Sequence, residues 1–253
     1  MLTRLDPRFS HLTLRLALRS LADFVMPRGC VVCGRELLPG EDAVCVSCLA
    51  ELPRTYFWTR KRNPMADAFN ARIDAPSYCC AAALFYYGED SGYQNITRSL
   101  KYSRNFDSGR RFARILGECL RGAAEFEDVD CVVPVPLHWT RRFSRGYNQA
   151  EVIAKEVASA LGARLEPGFL RRVRRTRSQA RLLVGEKAGN VAGAFAATPR
   201  AFRAAAGSVD HILLIDDVFT TGATSSECYS ALRSAFGDSV RISVATLAYV
   251  GHI

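Results

Sequence analysis

The stretch 212–224 of this 253-residue chain limits what the chain can fold into, and it reads Ile-Leu-Leu-Ile-Asp-Asp-Val-Phe-Thr-Thr-Gly-Ala-Thr. An apolar run of strand length ends in two adjacent carboxylates, Asp216 and Asp217. A loop of small hydroxylated residues with one glycine follows, and a helix-compatible segment opens near Ser225. A strand that passes into a helix through such a loop gathers unpaired N–H groups and the positive end of a helix around one point. That arrangement suits a phosphate. Gly222 lets the backbone approach the anion, and Thr220, Thr221 and Thr224 add hydroxyl donors around Ala223. The two acids do not hold a phosphate, but they accept hydrogen bonds from sugar hydroxyls or face a magnesium ion. A phosphate cradle beside two acceptors for a vicinal diol describes a ribose 5-phosphate site. Two other readings compete: a core strand that happens to end in acids, and a Walker B strand. The latter lacks any Gly-x-x-x-x-Gly-Lys-Ser/Thr partner in the chain.

A second constraint lies near the N-terminus. Cys30-Val-Val-Cys33-Gly34 and Cys45-Val-Ser-Cys48 are two Cys-x-x-Cys knuckles separated by a short stretch carrying Gly40. Four thiolates so spaced can surround one zinc ion tetrahedrally, in a closed shell whose role is structural. Either pair alone would also read as a redox motif; two together without a flanking βαβ pattern favour zinc. The remaining cysteines, Cys79, Cys80, Cys119, Cys131 and Cys228, sit mostly in apolar surroundings and read as core. Such usage fits a reducing compartment, the cytoplasm, better than a disulfide framework. Before the knuckles, the apolar stretch 12–26 carries Arg15, Arg19 and Asp23 four residues apart. They line one helix face, which predicts an amphipathic helix over 1–28 and no transmembrane segment. Membrane-surface association is the alternative for that helix.

The stretch 49–77, with Pro53, Pro64, Pro76 and the basic triplet Arg60-Lys61-Arg62, reads as a connection. Residues 81–87 form an expected strand, and helical periodicity follows over 93–102 and 106–121. Leu100-Lys101-Tyr102 closes the first of these helices, where a cation is also an ordinary helix end. Residues 130–136 read as a second buried strand that its prolines bring to an end. The loop 137–149 carries Arg141, Arg142, Arg145, Asn148 and Gln149 at a strand's C-terminal end, where open α/β sheets bind ligands. Its arginines have the fork geometry for a diphosphate. The stretch 169–195 holds Arg171, Arg172, Arg174, Arg175, Arg177 and Arg181 around Thr176 and Gln179, then Glu186, Lys187 and Asn190. It reads as a nucleic-acid patch or as a lid over an anionic transition state. The formal charge of +9 favours anionic partners without choosing between nucleic acid and a small polyphosphate.

The loop 212–224 resembles the phosphoribosyl-diphosphate (PRPP) loop of type I phosphoribosyltransferases. Together with Pro134-Val-Pro…Arg145-Gly-Tyr-Asn-Gln149, Arg175-Thr-x-x-Gln179…Asn190…Phe195, the double Cys-x-x-Cys and Leu100-Lys101-Tyr102, the chain resembles the ComF/GntX family over most of its length. The resemblance implies an α/β, type I phosphoribosyltransferase-like, mainly parallel sheet with flanking helices over 78–253. A small zinc-ribbon module over 29–55 precedes it. It further implies PRPP as ligand, with Mg²⁺ bridging diphosphate and ribose oxygens, in a setting of competence and DNA uptake or of nucleotide metabolism. Catalytic roles would fall on Asp216, Asp217, Lys101 and Arg145. Arg175, Thr176, Gln179, Lys187, Asn190, Asn148 and Gln149 would serve the lid and the diphosphate. The family's usual arginine is replaced by Lys187, which keeps charge but loses bidentate geometry, and a usual small residue by Arg181.

Two functions follow. One is a pentosyltransferase joining ribose 5-phosphate to a nitrogenous acceptor. The other is a non-catalytic PRPP sensor that binds single-stranded DNA and works with the DNA-uptake machinery. A transcription regulator is a third, for which no DNA-reading module is visible.

Overall fold

The computed structural model describes residues 28–88, 91–102, 106–137, 146–173 and 193–251, with Lys101, Tyr102 and Phe106 described by their backbone alone. The expected N-terminal helix and the central parts of the loops 137–149 and 169–195 lie outside these residues. In chain order the elements are α1 (Val46–Ala50), a 3₁₀ turn (Phe57–Thr59), α2 (Pro64–Asn70), β1 (Ala81–Tyr86), α3 (Gln94–Tyr102), α4 (Phe106–Arg121), β2 (Cys131–Pro134), α5 (Gln149–Leu161), β3 (Arg164–Leu165), β4 (Leu170–Arg172), β5 (Phe195–Ala197), α6 (Pro199–Ala205), β6 (His211–Phe219), α7 (Ala223–Phe236) and β7 (Arg241–Tyr249).

Five strands form a parallel sheet in the order β1-β7-β6-β2-β3. Residues 211–215 of β6 and 242–248 of β7 are buried throughout, as strands covered on both faces must be. The connection β2-α5-β3 runs along the sheet in one direction and β6-α7-β7 in the other. With right-handed crossovers, α5 and α7 therefore fall on opposite faces. α4 lies with α5, and α7 with α6 and the β4–β5 hairpin. The strand order reverses between β6 and β2, so the C-terminal ends of those two strands open a crevice at a topological switch point.

The stretch expected to be a connection is folded. Asn63 caps α2 by accepting from the Ala66 N–H at 2.9 Å, with Pro64 at the first helical position. The segment before it covers the edge of β1: the Thr55 N–H donates to the Leu84 carbonyl, and the Tyr86 N–H to the Pro53 carbonyl. One buried cluster runs from Cys30 in the first knuckle to Ala248 in β7, so the N-terminal module and the α/β domain share a core. They touch closely at Gly92, where a Cβ would stand 2.1 Å from the Val32 carbonyl oxygen.

Of the five cysteines assigned to the core, Cys79, Cys80, Cys131 and Cys228 are buried and Cys119 is half-buried. No helix among the described residues is long and apolar enough to cross a membrane.

Candidate functional site

β6 does not stop at its acids. Its pairing with β7 continues through Phe219, opposite Tyr249, and the Val250 N–H donates to the Phe219 carbonyl at 2.9 Å. Successive strand residues face opposite sides, so Asp216 and Asp217 leave the strand on either face of the sheet end. Both are half-buried, as is Val218, whereas every residue of β6 from 211 to 215 is buried. The acids therefore stand at the rim of the crevice, with Asp217 Oδ2 turned inward and buried. One Asp216 oxygen accepts the Asp217 N–H at 2.8 Å. Asp216 lies on the α7 side, where its charge adds to burial in pushing up the thiol of Cys228.

The turn beyond β6 is short and open to an anion. Gly222 takes the left-handed φ of 78° and is the N-cap of α7. A Cβ there would meet the Phe219 ring at 2.7 Å, so this position admits only glycine without rearrangement. The 14-residue helix α7 directs its first N–H groups and its positive end into this turn. Thr220, Thr221 and Thr224 are half-buried around it, and Gly222 and Ala223 are buried beneath.

The other wall of the crevice comes from β2 and α5. The Val135 N–H donates to the Ile215 carbonyl at 2.8 Å, tying the start of the arginine loop to β6. Asn148, the N-cap of α5, donates from Nδ2 to the Val135 carbonyl at 3.0 Å. Its Oδ1 and the Nε2 of Gln149 are buried and find no partner among the described residues. The Tyr147 hydroxyl donates to the Leu100 carbonyl, which joins this wall to the end of α3 beside Lys101. Beside it, Arg110, Tyr147, Asn148 and Lys155 line a cleft of about 240 Å³ on the α4–α5 face.

The structure thus assembles Asp216, Asp217, the turn 220–224, Asn148, Gln149 and the backbone of Lys101 at one end of the sheet. Arg145, Arg175, Thr176, Gln179, Lys187 and Asn190 lie outside the described residues. The base of the arginine-rich stretch is described: β4 and β5 pair as an antiparallel hairpin, and the Gly193 N–H donates to Glu227 of α7 at 2.7 Å. The sequence reading did not include Arg72, whose side chain lies against Gly222. The signal that could have found it is the Asn63-Pro64 helix start ahead of it.

At the N-terminal module, the Sγ atoms of Cys30, Cys33, Cys45 and Cys48 all lie within 4.8 Å of one another, and those of Cys33 and Cys45 are 3.9 Å apart. A tetrahedron with Zn–S bonds of about 2.3 Å needs S···S separations of roughly 3.8 Å, so the donor set fits zinc. Burial raises the thiol pKa of Cys30, but the N–H groups of Cys33, Cys45 and Val32 outweigh it and bring the pKa down to about 6. Burial, then the neighbouring thiols, pushes Cys48 up. The Glu41 carboxylate accepts the N–H groups of Leu38 and Val46, each at 2.8 Å, and braces the loop between the knuckles.

Comparison with known proteins bears on this assembly. No family model matches the chain. Competence protein F of Haemophilus influenzae is 24% identical over 209 residues, covering 72% of this chain and 89% of that protein. The chain is thus similar to a competence protein over most of its length. DNA utilization protein YhgH of Salmonella typhimurium is 30% identical over 135 residues, 52% of this chain. The chain spans only 57% of the length of that relative. Among solved structures, adenine phosphoribosyltransferase of Trypanosoma brucei superposes with a TM-score of 0.34 at 11% identity, over 75% of this chain and 81% of that one. The enzyme of Leishmania tarentolae gives 0.33 at 10%, over 75% and 89%. Those superpositions are loose. The mainly parallel α/β fold of this chain stands on its own sheet and switch point.

Proposed function

We propose that this chain binds PRPP in the crevice between the ends of β6 and β2 and transfers its phosphoribosyl group to a nitrogenous acceptor, in DNA uptake or nucleotide metabolism. The observation that carries this reading is the convergence of the glycine turn, the two half-buried acids and the N-terminus of α5 at one switch point. In it, the turn 220–224 holds the 5-phosphate through backbone N–H groups and threonine hydroxyls. Asp216 and Asp217 accept the ribose hydroxyls and favour positive charge as it builds on the ring. Gln149 Nε2 and the positive end of α5 face the diphosphate, with Lys101, Arg145 and the lid residues Arg175, Thr176, Gln179, Lys187 and Asn190 assigned there by family resemblance. The lid excludes water while diphosphate leaves the anomeric carbon.

Two carboxylates are a donor set for a magnesium ion that takes its remaining ligands from water and substrate. Bound there, magnesium would neutralise charge between diphosphate and ribose oxygens. The four cysteines would hold zinc as a folding element, with no open position for chemistry. The names of the relatives, a competence protein and a DNA utilization protein, support the biological setting.

The test is calorimetric titration with PRPP and Mg²⁺, then incubation with pooled bases and amines. Acceptor-dependent release of diphosphate supports transfer. Binding without release leaves the chain a sensor, and no binding ends the reading.

The sensor reading has its own support in the charge of +9 and in the exposed Arg60, Lys61 and Arg62. Affinity for a single-stranded oligonucleotide that falls steeply with salt supports it. No affinity at low salt removes it.

A further inference from the structure

The phosphate turn carries no cation of its own. From Phe219 to Ser226 the sequence is Phe-Thr-Thr-Gly-Ala-Thr-Ser-Ser. A phosphate monoester holds nearly two negative charges at neutral pH. Against that, a helix end offers about half a charge and the hydroxyls offer dipoles. A cation brought from elsewhere in the fold would complete the balance.

Arg72 stands in that place. It follows α2, which is held at both ends and along one side. Asn63 Nδ2 donates to the Ala81 carbonyl at 2.9 Å, and Asn70 exchanges two hydrogen bonds with the backbone of Cys79, at 2.8 and 2.9 Å. The Phe69 ring meets Tyr229 edge-on, with centroids 5.8 Å apart. Tyr229 belongs to α7, the helix that begins at the phosphate turn, so the end of α2 is fixed against the wall of the site. From there the Arg72 stem reaches the turn: its Cδ lies 3.5 Å from the point a Cβ on Gly222 would occupy.

The stem therefore lies beside buried Gly222, on the side that a Cβ would share with the Phe219 ring, while the residue as a whole stays exposed. This is the posture of a long cationic side chain that rests its methylenes on a surface and keeps its head in solvent. Among the described residues the Arg72 guanidinium makes no hydrogen bond or ion pair, so no carboxylate competes for it.

We propose that Arg72 is a binding residue of the ribose-phosphate site, supplying the cation that the 5-phosphate needs. This rests on the reading of 220–224 as a phosphate cradle. A Cβ at Gly222 would collide with the Phe219 ring but would leave the Arg72 stem in ordinary contact. The role of Arg72 also makes the segment between the zinc module and the sheet part of the binding machinery.

The experiment is calorimetry with ribose 5-phosphate and, separately, inorganic diphosphate, on the full zinc-loaded chain and on Arg72→Met and Arg72→Lys. Methionine keeps the packing stem and removes the charge. The proposal expects Arg72→Met to bind ribose 5-phosphate about tenfold more weakly, corresponding to a single charge-assisted contact. It expects diphosphate affinity and zinc content unchanged, and most of the affinity kept in Arg72→Lys. Wild-type affinity for ribose 5-phosphate in Arg72→Met overturns the role of Arg72 while leaving the cradle standing. Equal losses for both ligands also overturn it, because the effect would then not be local to the phosphate turn. If the wild-type chain binds no ribose 5-phosphate, the cradle reading fails first and takes the proposal with it.

Discussion

Tyr93 donates its hydroxyl hydrogen to the carbonyl of Cys48 at 2.9 Å, joining the start of α3 to the last thiol of the zinc-type cluster. Next to it, Gly92 presses its Cα side against the Val32 carbonyl of the first knuckle. The far end of α3 receives the Tyr147 hydroxyl at the Leu100 carbonyl, beside the crevice. One helix thus spans from the cysteine module to the proposed diphosphate wall. Gly92→Ala should undock the module at a cost of about 1–3 kcal/mol, the usual range for overpacking. Tyr93→Phe should cost about 1 kcal/mol, one hydrogen bond. Thermal unfolding of both variants checks the order, and a Gly92→Ala protein as stable as the parent would show the contact to be idle.

Metal removal has a countable outcome. Zinc in the cluster would mask Cys30, Cys33, Cys45 and Cys48 from a thiol reagent. Cys79, Cys80, Cys131 and Cys228 are buried, and burial pushes Cys80 and Cys131 up to about 12 and raises the other two. Thiols so protonated and enclosed react slowly. Loss of a structural ion also unfolds the knuckles it holds, so chelation of the native protein should expose four new fast-reacting thiols by a colorimetric count. An unchanged count would mean that no metal had been protecting the cluster.

At the opposite end of the sheet, His211 Nδ1 meets Asp128 at 2.9 Å and Nε2 meets the Ser243 hydroxyl at 2.9 Å. The Arg241 guanidinium also lies 2.9 Å from Nδ1, so the tautomer decides which ring nitrogen donates. Although the three residues match the types of a hydrolytic triad, Ser243 and His211 are buried and offer no substrate a path. Burial pushes the His211 pKa down despite the pull of Asp128. Below about 6.5 the unfolded chain takes up a proton here and the folded chain does not, so stability falls as pH falls. The slope should approach, and not exceed, about 1.4 kcal/mol per pH unit. Urea midpoints at pH 7.5 and 5.5 should differ less in His211→Gln than in the parent. An equal difference would place the proton uptake elsewhere.

The sheet is legible in the sequence because β6 and β2 are apolar runs that end in acids or prolines. The pairing beyond Asp216 is not legible: two acids look like a strand end, yet β7 supplies hydrogen-bond partners as far as Tyr249. Half-exposure at the rim lets the carboxylates stay on a paired backbone. The fold of 49–77 is hidden by three prolines and a basic triplet, although Asn63 and Pro64 carry the local signal for a helix start. What no local pattern encodes is the approach of Arg72 to Gly222. That follows from α2 docking on α7 through Phe69 and Tyr229, which are 160 residues apart.

The two acids of the crevice give the sharpest test of its proposed ligand. Asparagine keeps their shape but replaces a charged acceptor with a neutral amide whose N–H₂ would face the ribose hydroxyls. Hydrogen bonds to charged groups contribute about 1.5–3 kcal/mol each, so losing two should weaken PRPP binding by at least roughly a hundredfold. In Asp216→Asn the amide oxygen can still accept the Asp217 N–H, which protects the turn itself. The double variant Asp216→Asn with Asp217→Asn should therefore lose PRPP while keeping its zinc content and melting temperature close to the parent. Full affinity in the double variant would remove the sugar from this end of the sheet, whatever the phosphate turn binds.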